Sequence, residues 1–214
     1  MSPAIPQTPE LTADPSRRMS SEERREQIVE AAIAVFGAKG YVGTTTDDVA
    51  RAASVSQPYV VRLFGTKENL FLAALGSALD RLLTAFRAVP EGYDPRDLHE
   101  RGELMGQAYL SLLEVRGLHQ ILSQAFLLGA HPIIGPQARS GFAQVWRFLR
   151  DDAGFTTEEA KTFLAMGMLI NTMIGLRMTE DYGKDPGMTE LFDECFPLSI
   201  QTVLKEAPRA DEPW

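Results

Sequence analysis

The side chains best suited to contact a partner lie on one short predicted helix. Val60 and Phe64 are four residues apart and are predicted to point into the protein. Gln57, Tyr59 and Arg62 then point outward from the same helix. An outward glutamine can pair with adenine through two hydrogen bonds, and an outward arginine can contact guanine or phosphate. These residue types at this spacing predict a face that could bind the base edges of double-stranded DNA.

Two short helices joined by a tight turn are predicted to position these residues. Thr45 is a good N-cap for the first helix, with Asp48 three residues later. Residues 54–56 form the turn, and Pro58 falls in the first turn of the second helix, where it costs no hydrogen bond. This outline is typical of a helix-turn-helix, whose second helix commonly lies in the major groove. From the local pattern alone, a small helical hairpin inside an all-α core stays open as the alternative.

A longer pattern surrounds this unit. Its features lie between residues 24 and 75, about a quarter of the chain, and they are Ala31, Ala32, Phe36, Lys39, Gly40, Tyr41, Thr44, Thr45, Thr46, Val49, Ala50, Ala53, Val55, Ser56, Phe64, Lys67, Glu68 and Leu70. The pattern resembles the DNA-binding domain of the TetR (tetracycline-repressor-like) family of transcriptional regulators. The resemblance implies two sets of DNA contacts, to phosphates from Thr45, Thr46 and Lys67 and to the major groove from Gln57, Pro58, Tyr59 and Arg62.

Three positions depart from the family pattern. The family usually has glycine where Ser54 stands, which predicts a turn that is slightly strained or of a different type. It often has tyrosine and another aromatic residue at the positions of Val61 and Leu63, where they contact phosphate. Neither Val61 nor Leu63 has a side chain that can donate a hydrogen bond. These departures concern single contacts and leave the groove-facing role of the helix in place.

The net charge and its distribution are compatible with DNA binding but are not evidence for it. The net charge is −8 at pH 7. Residues 21–70 carry six Lys and Arg against seven Asp and Glu, whereas residues 71–214 carry 13 against 20. The acidic excess therefore lies in the C-terminal part, and we expect DNA binding to depend only modestly on salt.

Hydrophobic periodicity predicts an all-α fold of about nine helices. A three-helix helix-turn-helix domain is followed by a six-helix ligand-binding and dimerisation bundle, in which the last two helices run over residues 156–180 and 188–205. The predicted division is a disordered N-terminal arm (1–20), the DNA-binding domain (21–70), the effector-binding and dimerisation domain (71–205) and a polar tail (206–214). In the arm, Arg17 and Arg18 either reach DNA or are two solvated charges, and Trp214 in the tail has no explanation.

The sequence indicates a cytoplasmic protein outside the membrane. The longest apolar run, Phe163 to Leu176, has 14 residues, whereas a membrane span needs about 20. Cys195 is the single cysteine, so the chain cannot form an internal disulfide, which fits a reducing compartment.

The family resemblance also implies a homodimer and a small-molecule effector. The last two long helices would pair with their copies in a second subunit, with Met166, Ile170, Ile174, Met178, Phe192 and Cys195 as the candidate interface. Packing inside one monomer is the alternative. Candidate pocket residues between the helices are Phe86, Tyr109, His119, Phe126, Trp146, Phe163 and Asn171. Because this part holds few cations, the effector is expected to be largely apolar and without strong negative charge.

Residues that could carry out catalysis are sparse. The three histidines fall on different predicted segments, and no HExxH or CxxC motif occurs. Cys195 has no histidine nearby in the sequence and is expected to be a small core residue. We therefore expect no catalytic residue, metal site or cofactor.

These patterns together predict a homodimeric regulator, a repressor in preference to an activator, that binds a palindromic operator and is released from it by its effector. Two alternatives stay open. One is a DNA-binding regulator whose C-terminal domain only dimerises. The other, more remote, is an all-α enzyme or carrier with an incidental helical hairpin.

Overall fold

The computed structural model describes residues 20–89 and 98–209. Over these residues the chain is all-α, with ten α-helices and no β-strand, which confirms the predicted fold class. The helices are α1 (Ser21–Gly43), α2 (Thr46–Ala52), α3 (Gln57–Phe64), α4 (Lys67–Arg87), α5 (Leu98–Ser111), α6 (Leu118–Leu127), α7 (Ile134–Arg147), α8 (Thr157–Gly175), α9 (Pro186–Cys195) and α10 (Ile200–Glu206). The arm with Arg17 and Arg18 and the tail residue Trp214 lie outside the described residues.

Local signals explain the ends of α1. Ser20 and Glu23 form a capping box at its start, in which each side chain accepts a hydrogen bond from the other residue's backbone N–H. Gly40 interrupts the helix with a φ of 76°, which glycine adopts without steric cost. The helix therefore kinks at Gly40, and one further helical turn carries the chain to Gly43.

Helix α4 connects the first three helices to the rest of the protein. Its buried face, which includes Leu70, Phe71 and Phe86, packs against α1, α5, α6 and α7. Among the described residues, α4 is also the helix long and apolar enough to cross a membrane by length and composition, but half of its apolar window is buried in the fold. This burial is the pattern of a core helix.

Helix α6 packs directly on α1 through two glycines. A β-carbon on Gly37 would lie 2.5 Å from the α-carbon of Gly117, and one on Gly117 would lie 2.5 Å from the carbonyl oxygen of Ile33. Gln124 reinforces this contact, because its side-chain N–H groups donate to the carbonyls of Phe36 at 2.8 Å and of Gly37 at 3.2 Å. The start of α6 is thus fixed to the first helix of the chain.

The end of the chain differs from the prediction. The last helix, predicted to run unbroken to residue 205, is interrupted between Cys195 and Ile200. Pro197 explains the break, because a proline has no N–H to donate and its ring clashes with the preceding turn. The preceding helix, α8, ends at Gly175 instead of continuing as an α-helix to residue 180, and Arg177 takes the left-handed conformation with a φ of 59°.

Some of the residues predicted for the dimer interface are buried inside the single chain. Ile170, Ile174 and Phe192 are buried inside the single chain, as the monomer-packing alternative describes. Met178 is half-buried. Met166 is exposed, and Cys195 is half-buried. These last two line an open groove beside α8.

Candidate functional site

Helices α2 and α3 and the turn between them form the candidate DNA-binding unit. Val60 and Phe64 are buried, as predicted, and fix the inner face of α3. Ser54, in the turn, has a φ of 53°, a left-handed conformation that costs a non-glycine residue free energy. This agrees with the strain expected at Ser54, where the family that the sequence resembles usually has glycine. Ser56 is the N-cap residue of α3, but its side chain makes no capping hydrogen bond.

The outer face of α3 carries polar groups that contacts inside the chain already orient. Gln57 and Arg62 are exposed. The Gln57 amide donates to the hydroxyl of Thr46 at 3.2 Å, which leaves its oxygen and its second N–H free to pair with a base. The Arg62 guanidinium lies 4.7 Å from the centre of the half-buried Tyr59 ring. Pro58 is exposed beside them in the first turn.

Asp48 is the buried centre of this unit. Its carboxylate accepts hydrogen bonds from the ammonium of Lys39 and the guanidinium of Arg51, both at 2.7 Å. It also accepts from the hydroxyl and the backbone N–H of Thr45 at the start of α2, at 2.7 and 2.9 Å. The hydrogen bonds from Lys39 and then Thr45 hold the pKa of Asp48 well below its usual range. The cap at Thr45 was predicted from the sequence, but the role of the Asp48 carboxylate in joining α1 to α2 was not.

Lys67 is engaged inside the chain. Its ammonium donates to the carbonyls of Tyr41 at 2.9 Å and Thr44 at 3.1 Å, and it lies 4.5 Å from the centre of the Tyr41 ring. These contacts fix the loop that carries Thr45. An ammonium has three donors, so a phosphate contact by Lys67 could use only the remaining one. That contact stays a prediction.

A small cavity lies between α4, α5, α6, α7 and α8. Its volume is about 70 Å³, and five of the seven predicted pocket residues line it: Phe86, Tyr109, Phe126, Phe163 and Asn171. The Tyr109 hydroxyl donates to the Asn171 side-chain oxygen at 2.5 Å. Phe126 is 43% exposed and meets Phe142 edge to face, with ring centres 5.8 Å apart. We call this space the central cavity.

The other two predicted pocket residues lie outside the cavity wall. Trp146 is half-buried and packs on the core. His119 is buried, with its ring centre 4.6 Å from that of Tyr109. Burial lowers the pKa of His119 to about 4, so the ring is neutral at pH 7, and its buried Nε2 has no hydrogen-bond partner among the described residues.

A larger groove of about 550 Å³ lies on the other side of Tyr109, Phe163 and Gly167. These three residues line both spaces, and we call them the shared wall. The groove is bounded by α5, α8 and the turn between α9 and α10. Sequence analysis missed it, because the turn around Pro197 that closes one side was predicted to be helix.

Comparison with known proteins shows which family the candidate DNA-binding unit is similar to. Residues 28–74, which include α2, α3 and the turn between them, match the model of the family described as "Bacterial regulatory proteins, tetR family". Over these residues the chain is similar to that family. It is 41% identical over 59 residues to the HTH-type transcriptional regulator HbdR of Aromatoleum sp. (strain CIB), which is 28% of this chain and 26% of HbdR. It is 37% identical over 70 residues to the HTH-type transcriptional activator FasR of Mycolicibacterium smegmatis, 33% of this chain and 32% of FasR.

The likeness in sequence thus spans about a quarter to a third of the length of these relatives. The likeness in fold to solved structures covers more of the chain. A TetR-like transcriptional regulator from Rhodococcus sp. RHA1 aligns with a TM-score of 0.59 at 20% identity, over 74% of this chain and 87% of that one. The multidrug binding protein EbrR, complexed with malachite green, aligns with a TM-score of 0.51 at 25% identity, over 71% and 84%. The two sequence relatives are named as regulators of transcription.

Helix α6 links the central cavity to α1, which the ion pair between Lys39 and Asp48 joins to α2. Leu122, Ala125 and Phe126 on α6 line the cavity. The same helix is fixed to α1 through Gly117 and Gln124. Gly37 in the middle of α1 was a signal that sequence analysis could have used, because a glycine inside a helix often marks a close packing contact. Among the described residues, no group of three His, Cys, Asp or Glu side chains could hold a metal ion.

Proposed function

We propose that this protein is a homodimeric repressor of transcription that binds a palindromic operator and releases it when a small, largely apolar molecule binds. The observation that carries the proposal is the exposed face of α3, where the Gln57 amide and the Arg62 guanidinium are oriented by Thr46 and Tyr59. Residues 21–70 would contact DNA, with Thr45 and Lys67 at phosphates, and residues 71–205 would bind the effector and dimerise. The proposal includes a cytoplasmic location.

An exposed apolar stripe on α8 supports the presence of a second subunit. It consists of Ala165, Met168 and Leu169 on α8 and of Leu176 just after its end, and Thr172 lies between them with its hydroxyl donating to the carbonyl of Met168. Leu176 is 67% exposed and Met168 is 44% exposed. A contiguous apolar strip on a helix surface is typical of an interface, and in a two-fold dimer the same strip occurs on both partners. The proposed interface therefore uses this stripe in preference to the buried Ile170 and Ile174.

The central cavity suggests how an effector would act. At about 70 Å³ it is well below the roughly 300–1,000 Å³ typical of small-molecule sites, so an effector would have to widen it. Widening would displace α6, which is fixed to α1 through Gln124. A ligand shifts the equilibrium between two conformations only by the difference in its affinity for them. An effector that binds the widened form would therefore favour the conformation in which α1 and α3 have moved.

We predict that Arg62→Ala and Gln57→Ala weaken binding to the selected operator by about 5- to 150-fold each, since one good base contact contributes roughly 1–3 kcal/mol. The operator would first be obtained by selecting bound sequences from a random DNA pool with the wild-type chain. Affinities would be measured by fluorescence anisotropy at two salt concentrations. Arg147→Ala, which removes an exposed arginine from α7, is the matched control and should bind like the wild type.

A two-fold symmetric motif is the expected outcome of the selection, because each subunit would bind one half-site. Unchanged affinity in both variants, with the fold intact, would contradict the assigned contacts. An asymmetric motif would contradict the dimer. Repression would be tested by placing the motif across a promoter in a reporter; increased transcription would instead indicate an activator.

The effector gives a separate prediction. A ligand at 100 times its dissociation constant should add about 2.7 kcal/mol to the free energy of unfolding. We expect neutral or cationic apolar compounds to raise the melting temperature and to lower operator affinity in the same screen. The small volume of the central cavity favours a second candidate function, a regulator whose C-terminal domain only dimerises. That candidate would be supported if no compound stabilises the protein, or if the compounds that do leave its affinity for the operator unchanged.

A further inference from the structure

Most of the groups assigned to DNA phosphates are already used inside the chain. The predicted DNA-binding domain carries six Lys and Arg side chains. Three of them are engaged, because Lys39 and Arg51 pair with the carboxylate of Asp48 and Lys67 donates to two backbone carbonyls. The hydroxyl of Thr45 also donates to Asp48, at 2.7 Å. Contacts to phosphate therefore have to come in part from the other cations of the domain.

The three remaining cations are Arg24, Arg25 and Arg62. None of them pairs with a carboxylate in the part of the chain that the structure describes. Arg62 lies on the outer face of α3, whereas Arg25 lies on α1 and is half-buried. The Arg25 guanidinium lies 4.5 Å from the centre of the Phe64 ring. Since Phe64 is the last residue of α3, helix α1 places an arginine without an acidic partner against the end of α3.

This end of α3 is expected to lie near the DNA backbone. The eight residues of α3 span about 12 Å at a rise of 1.5 Å per residue. The major groove is also about 12 Å wide. A helix of this length in the groove brings its ends close to the two strands that border it. Arg25 would then lie beside a phosphate, to which a guanidinium can donate two parallel hydrogen bonds.

We propose that Arg25 is a phosphate contact, so that the DNA interface extends from α3 onto α1. The inference rests on the proposed function, because it takes α3 to lie in the major groove. The Phe64 ring orients the guanidinium before DNA binds, which reduces the entropy lost on binding. The contact adds affinity without sequence information, since a phosphate carries none. It supplies donors that the side chains of Val61 and Leu63 lack.

The test compares Arg25→Gln with the wild type on two duplexes, the selected operator and a duplex of the same base composition in scrambled order. Glutamine removes the positive charge and keeps a long polar side chain. We expect the variant to bind both duplexes about tenfold more weakly at 50 mM salt, as for one lost hydrogen bond to a charged group. The slope of log affinity against log salt concentration should become shallower by about 0.9, the value for one phosphate. Arg62→Ala should instead weaken mainly the operator complex.

The matched control is Arg87→Gln. The Arg87 guanidinium also lies over a phenylalanine ring, that of Phe148 at 5.7 Å, but it belongs to the last turn of α4. That turn is about 30 Å along the helix from its start at Lys67. The control should bind both duplexes like the wild type. Arg25→Lys, which keeps the charge, should retain the wild-type salt slope. Circular dichroism checks that each variant is folded.

A folded Arg25→Gln variant with the affinity and salt slope of the wild type would overturn the proposal. A loss confined to the operator would indicate a base contact and would overturn it as well. If the wild type selects no motif, but Arg25→Gln binds the scrambled duplex more weakly and with the shallower slope, the phosphate contact is supported while the proposed function fails. A wild type that binds neither duplex would overturn both.

Discussion

Replacing Gly117 with alanine is expected to reduce the free energy of unfolding by at least about 2 kcal/mol, because it combines backbone strain with a clash. Gly117 has a φ of 83°, which residues other than glycine rarely adopt. The new methyl group would lie 2.5 Å from the carbonyl oxygen of Ile33 and 2.9 Å from the α-carbon of Ala34. Both are backbone atoms of α1, so α6 would have to separate from α1. Urea unfolding followed by circular dichroism measures the loss.

The control for this change is Gly76→Ala on α4. A β-carbon at Gly76 meets nothing within 4 Å, and the backbone there is helical. We expect this variant to gain roughly 0.5–1 kcal/mol, since alanine favours a helix interior over glycine. A Gly117→Ala protein as stable as the wild type would contradict the packing of α6 on α1. It would also remove the proposed route from the central cavity to the DNA-binding unit.

Replacing Asp48 with alanine is expected to cost about 2–4 kcal/mol and to abolish operator binding. The change removes the buried carboxylate that accepts hydrogen bonds from the ammonium of Lys39 and from Thr45 at the start of α2. Breaking a buried ion pair by removing one partner is strongly destabilising. Asp47→Ala is the matched control, because its ion pair with Arg51 is exposed on both sides and contributes little. A loss no larger than that of Asp47→Ala would contradict the central role of Asp48.

The same carboxylate predicts a pH dependence. The pKa of Asp48 is lower in the folded chain than in the unfolded chain, where it is about 3.9. Its contribution to stability is therefore complete above about pH 4 and is lost as the pH falls further towards the folded pKa. Comparing the unfolding free energy of the wild type and Asp48→Asn between pH 7 and pH 3 isolates this contribution. We expect the difference between them to shrink on acidification, and a constant difference would contradict the assignment.

Local signals were enough to predict the DNA-binding unit. The N-cap Thr45, the proline at the start of α3 and the buried pair Val60 and Phe64 each act within a few residues, so their spacing can be recognised in the sequence. The same holds for the all-α fold, which follows from helical periodicity. The missed break at Pro197 was also local and could have been recognised, since proline rarely continues a helix.

Contacts between distant residues could not be predicted in this way. The approach of Gly37 to Gly117 joins positions far apart in the chain, and nothing in the spacing of residues indicates which helices touch. The groove depends on the same kind of information, because α5, α8 and the α9–α10 turn must first be packed together. Five of the predicted pocket residues line the central cavity, because most large aromatic side chains in a helical bundle face its interior.

The shared wall makes the two spaces thermodynamically dependent on each other. Tyr109 lines both spaces, and its hydroxyl donates a hydrogen bond to the side-chain oxygen of Asn171, which lines the central cavity. A molecule that moves this ring from one side changes the room left on the other, and such coupling is reciprocal in binding free energy. Under the proposed function, a molecule bound in the groove would therefore change how much effector is needed to release the operator, and the effector would change the affinity of the groove by the same factor. A protein built in this way would respond to the combination of two chemical signals and not to either concentration alone.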